Sequence, residues 1–243
     1  MDAIIFKYSP NFMTTFNLAE YARYITGINN ITVEFCKETP CVDLGNKIIY
    51  LPKIDYTSEL DSDIYRLTKA YLYHECAHLM YPEGKHYIPE EWGKNFVFHG
   101  FLADVIDDLR IENLFSIKHK ELRDDFKFLI EYLWKELYIH YADDSDMGYG
   151  RYGDFSLDMS GSLYWLLQKR YRGAELIPPH GCETIFPFRT IENMEQLFKN
   201  EFVPMLDIFV NTKISSWETA GKMLNILKKN YQEIFETSPE QYL

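Results

Sequence analysis

Positive charge is scarce in this chain. Only 25 Lys and Arg stand against 37 Asp and Glu, a formal net charge of −12. Affinity for nucleic acid depends on clustered Lys and Arg that neutralise phosphates, and no basic stripe occurs, so nucleic acid is not an expected partner. Long apolar runs are missing as well: no stretch of about 18 apolar residues is found, so no membrane span is expected. The opening MDAIIFKYSP has neither the basic flank nor the apolar core of a signal peptide, which makes the cytoplasm the expected location. Cysteine is sparse and scattered, with Cys36, Cys41, Cys76 and Cys182 and no C-x-x-C pair. That argues against a disulfide framework and against a thiolate zinc site, and it leaves reduced thiols as the expectation, Cys36 and Cys41 included. Internal repeats and low-complexity tracts are absent too.

Hydrophobic residues make up 47% of the 243, ample material for one generous domain or two small ones. Helical spacing of Phe12, Phe16, Ala19, Tyr21 and Ile25 predicts a first helix over 11–26, with Gly27 as its stop. ITVEF (31–35) and KIIYL (47–51) read as a pair of strands separated by a Pro, Asp and Gly turn region. Apolar residues from 61 to 81 wrap most of a helix and leave a narrow polar stripe of Arg66, Lys69 and the Tyr73 hydroxyl. Further helices are expected over about 89–115, 124–141, 157–171, 190–211 and 215–236. The acidic, Gly- and Tyr-rich stretch 142–154 reads as a flexible connection or a cleft-lining loop. The fold class is therefore α+β, mostly α, with a small N-terminal sheet and a helical C-terminal half. The expected division is a domain over 1–141 and a helical subdomain over 142–243 packed on it.

The chemistry sits in HECAH, residues 74–78. His74 and His78 lie one helical turn apart on one face, near enough to reach a single metal ion. Glu75 is rotated by about 100° from His74, placed to act on water and not on the metal. With 7 His in the chain, H-E-x-x-H arises by chance roughly 0.02 times at this composition, so coincidence is an uncommon source of it. Two neutral imidazoles plus one carboxylate suit zinc, because they leave a fourth position open. The expected chemistry is hydrolysis, with zinc polarising a carbonyl and Glu75 as the general base.

The third ligand is expected from the next helix. In FLADVIDDLRIENLF (101–115), Leu102, Val105, Ile106 and Leu109 share one face while Asp104, Asp107 and Asp108 gather on the other. Carboxylates so close together repel unless a cation or water screens them. Asp108 ranks first as ligand, then Asp107, then Asp104. The remaining acids, Asp104 and Glu112 among them, would hold a ligand histidine by its second ring nitrogen. Arg110 would pair with these acids or face substrate. Tyr149, with Arg151 and Tyr152, could donate hydrogen bonds over the site from the Gly-rich connection.

NKIIYLP (46–52), HECAH (74–78) and DVIDDLRIE (104–112) resemble, in order and spacing, a metallopeptidase-like domain family of bacterial and bacteriophage proteins. That family is related to the cobaltochelatase T subunit and the nitric-oxide-reductase-activating D protein. The resemblance covers about residues 30–115, and the last motif is its most specific part. It implies a zincin-like fold, zinc, a protein or peptide substrate and, for a phage-encoded chain, the host cytoplasm. A MoxR-type AAA+ ATPase is the partner it offers. It also highlights the acids at 107 and 108. Two departures stand out: Asp104 where the family usually has Asn, and Asp107 where it has Glu.

Two other motifs invite a site. His86 does not meet the metzincin spacing, because Tyr81 and Gly84 stand where that pattern has glycine and histidine. D-M-S-G-S (158–162) imitates a metal-dependent adhesion motif centred on Asp158, but it reads better as a Ser-rich helix start before LYWLLQKRY. A catalytically inactive, zinc-stabilised interaction module is the alternative to the hydrolase.

Overall fold

The computed structural model describes residues 14–36, 39–52, 62–83, 96–143, 154–176, 194–212 and 214–232. It is mostly helical, with one three-stranded sheet near the N-terminus. Two compact units are present and do not follow chain order: residues 1–82 with 115–129, and residues 83–114 with 130–243.

In the first unit, α1 (Thr15–Thr26) starts at Thr14, whose hydroxyl accepts from the Asn17 N–H at 3.2 Å. It ends at Gly27, whose φ of 74° is the left-handed conformation that glycine adopts without penalty. Its buried stripe is Leu18, Ala19, Ala22, Ile25 and Thr26. Phe16, expected on that stripe, is 69% exposed, since two residues from Leu18 is more than half a turn around the helix.

The sheet has strand order β1 (Thr32–Cys36), β3 (Ile48–Pro52), β2 (Cys41–Asp43). β1 and β3 are parallel, with Val33 opposite Ile49 and Phe35 opposite Leu51. β2 is a third strand beyond the expected pair, antiparallel to β3. The turn joining them is built on Asp43, whose carboxylate accepts from the backbone of Gly45 and Asn46, each at 2.9 Å, and from the Asn46 amide at 2.8 Å. These bonds hold the Asp43 carboxyl below its ordinary range. Ile49 and Leu51 on the central strand are fully buried.

Helix α2 (Ser62–Met80) packs on β3 and α1. Arg66 reaches Asp125 at 2.8 Å and lies over the Phe128 ring. Tyr73 is not part of the polar stripe: it is fully buried, and its hydroxyl pairs with that of Tyr21 at 3.0 Å.

In the second unit, apolar residues of α3 (Phe96–Lys118), α5 (Asp154–Tyr171), α6 (Val203–Phe209) and α7 (Ser216–Asn230) make one core. Leu102, Ile106, Leu167, Phe202, Leu206 and Met223 are at its centre. Helix α4 (Arg123–Asp143) contributes Trp134 to the edge of that core from its later turns. Before α6 the chain widens into a π-helical turn, Phe198–Phe202. That turn relieves the helix of Pro204, which has no N–H to give and would otherwise crowd the preceding carbonyls. Helix α5 begins at Asp154, three residues before the expected start, so Asp158 lies in its second turn and not at its head. Among the described residues, no helix is long and apolar enough to cross a membrane.

Candidate metal centre

His74 and His78 sit in the last two turns of α2, where four-residue spacing stacks their rings on one face. Their Nε2 atoms are 3.2 Å apart, one donating and the other accepting, and the rings meet edge to face at 85°. Both imidazoles are half-buried. Glu75 between them is only 3% exposed. Cys76 is wholly buried, which pushes its thiol up, with the neighbouring Glu75 charge adding to the effect. A thiol held protonated in this way is a poor metal ligand.

The acids of α3 are in three different situations. Asp104 is exposed. Asp107 accepts from Arg110 through Nε at 2.9 Å and Nη2 at 2.6 Å, and both side chains are largely buried. Arg110 thus pairs with Asp107, three residues earlier on its own helix. Asp108 is half-buried and belongs with the histidines: His74, His78 and Asp108 each offer one ligand atom, all within 4.8 Å of one another. It is the one group among the described residues that could hold a metal ion.

The donor set fits a divalent ion. Two Zn–N bonds of about 2.0–2.1 Å at a tetrahedral angle set their nitrogens about 3.3 Å apart, close to the separation of the two Nε2 atoms. Two imidazoles and one carboxylate are also a donor combination found in catalytic zinc sites.

Glu112, one turn beyond Asp108, is 4% exposed and ion-paired with Arg172, whose Nε lies 2.6 Å from its carboxylate. Arg172 also donates to the Gln168 side chain. Sequence reasoning missed both residues, together with Tyr164. The three recur every fourth residue from α5 into the turn after it, a polar stripe that gives no sign of which acid it meets. The Tyr164 ring stacks on Trp134 at 5.7 Å and 9°. Burial pushes its hydroxyl up to about 12; the Arg172 charge opposes that shift, and the Glu112 and Asp108 charges add to it.

Tyr149, Arg151, Tyr152, His86 and Cys182 lie outside the described residues. Among the described residues, Cys36, Cys41 and Cys76 are not joined in a disulfide. No family model, no curated protein and no solved structure matches this chain.

Proposed function

We propose that the chain is a zinc-dependent hydrolase of the metallopeptidase type, in which His74, His78 and Asp108 hold the metal and Glu75 is the general base. One observation carries this reading: two imidazoles and a carboxylate offer ligand atoms within 4.8 Å of one another. The resemblance of NKIIYLP, HECAH and DVIDDLRIE to the metallopeptidase-like family points the same way. A bound zinc ion supplies Lewis acidity, lowering the pKa of water and polarising a carbonyl.

The protein's own residues do the rest. Glu75, shielded from bulk solvent, takes a proton from water as the water oxygen attacks the carbonyl carbon, then passes it to the leaving amine as the C–N bond breaks. Asp107 is neutralised by Arg110, which leaves Asp108 better suited to ligation than its neighbour. On this reading the chemistry is carried by His74, Glu75, His78 and Asp108. A MoxR-type AAA+ ATPase would present protein substrates.

Glu75→Gln tests the proposal. The amide cannot accept the proton, so zinc should be retained while hydrolysis falls by several orders of magnitude. A variant that keeps wild-type biological function would instead make the chain a zinc-stabilised interaction module.

A further inference from the structure

We propose that Arg110 determines which metal ion the centre prefers: by keeping Asp107 for itself it limits α3 to one ligand, Asp108, and so favours zinc over manganese. Arg110 is a positioning residue that acts through Asp107, and its role rests on the zinc-hydrolase reading above.

Asp107 and Asp108 are consecutive on α3, so their side chains leave the helix about 100° apart, from Cα atoms about 3.8 Å apart. The backbone alone does not bar Asp107 from an ion bound at Asp108. Side-chain partners separate the two. Asp108 stands with His74 and His78, in a group that does not include Asp107. Asp107 instead accepts twice through Oδ1 from Arg110, whose Nε lies at 2.9 Å and Nη2 at 2.6 Å. This pair closes within one helix, three residues apart, and needs no other element to form it. Its side chains are only 7% and 13% exposed, so opening it strands two desolvated charges. Without the guanidinium, Asp107 becomes a largely buried anion one residue from a metal-binding carboxylate, and a bound ion offers the compensating charge.

Ligand chemistry gives the consequence. Two imidazoles and one carboxylate suit zinc, whereas added carboxylate oxygen moves a site toward manganese, magnesium and calcium. A second aspartate on the ion would also occupy the position that a catalytic zinc site keeps open for water. Arg110 thereby guards both the identity of the metal and the place of the reacting water.

The test titrates the full chain separately with zinc and with manganese against a competing chelator and reads the ratio of the two affinities. Wild type should bind zinc more tightly. Arg110→Met should lower the zinc-to-manganese ratio by about 10- to 100-fold, the range typical when a partner behind the ligands is lost. The double variant Arg110→Met with Asp107→Asn has no acid to release and should return the ratio to within a few-fold of wild type. A purely structural Arg110 would weaken both ions alike, and an unchanged ratio in Arg110→Met overturns the assignment. So does a ratio that stays low in the double variant. Should Arg110→Met fail to fold, Arg110→Gln replaces it, keeping an N–H donor for Asp107 while removing the charge. Its ratio should fall in the same direction, and no fall would count against the role. Wild type that takes up no zinc would sink the hydrolase reading itself, a result distinct from an unchanged ratio.

Discussion

Arg172 and Glu112 form an ion pair buried on both sides, 7% and 4% exposed, between residues 60 positions apart in the chain. Removing one partner strands a buried charge. Arg172→Met should therefore cost about 3–5 kcal/mol of stability, whereas Arg172→Met with Glu112→Leu should return to wild-type stability or exceed it. Urea denaturation of the two variants distinguishes these outcomes.

Metal content tests the centre directly. Purified protein supplied with zinc should hold about one ion per chain, and His74→Ala or His78→Ala should empty the site. Elemental analysis showing no transition metal in wild type would remove the basis of the proposal.

The three aspartates of α3 separate by affinity. Losing a ligand should weaken zinc binding far beyond the roughly 10- to 100-fold typical of losing an acid that only orients a ligand. Asp108→Asn should fall in the first class, while Asp107→Asn and exposed Asp104→Asn should fall in the second or below it. Zinc titration against a competing chelator ranks them, and a larger loss at Asp107 than at Asp108 would reverse the assignment.

His99 adds a pH dependence to stability. It is 1% exposed, and its Nε2–H donates to the Trp217 carbonyl at 2.9 Å. Burial lowers its pKa from the ordinary 6.5; the bond to Trp217 opposes this and the Lys228 charge adds to it. The unfolded chain thus takes up the proton more readily than the folded one. The stability His99 contributes is complete above about pH 6.5 and is lost as pH falls below it. In denaturation measured from pH 8 to 5, His99→Gln should be less stable than wild type at the alkaline end, with the gap narrowing as pH falls.

Gly27→Ala should destabilise the chain by about 1 kcal/mol, because φ at this cap is 74°. Nothing lies within 4 Å of a Cβ there, so thermal denaturation would report the backbone cost alone.

The helices could be read because their signals are local. HECAH needs only 3.6 residues per turn to bring two imidazoles together, and the Nε2 pair at 3.2 Å follows from that spacing. Gly27 marked the end of α1 for a similar reason, a conformational freedom no other residue shares. β2 escaped notice because three residues within a turn-rich stretch carry no period. Phe16 and Tyr73 were misread because an aromatic residue fits either face of a helix until its neighbours are known. For Tyr73 the deciding partner is Tyr21, 52 residues earlier.

By itself, the sequence determined the mostly helical class, the small N-terminal sheet, the paired histidines with Glu75 between them and the acidic face of α3. Each is a matter of composition or of spacing along a single element. Only the tertiary structure decided that β1 runs parallel to β3, that Asp108 stands with the histidines, and that Arg172 meets Glu112. Those outcomes depend on which surfaces are buried against one another. A charge-paired Arg and a solvated Arg look alike in a string of letters, and they differ only once desolvation has made the missing partner costly.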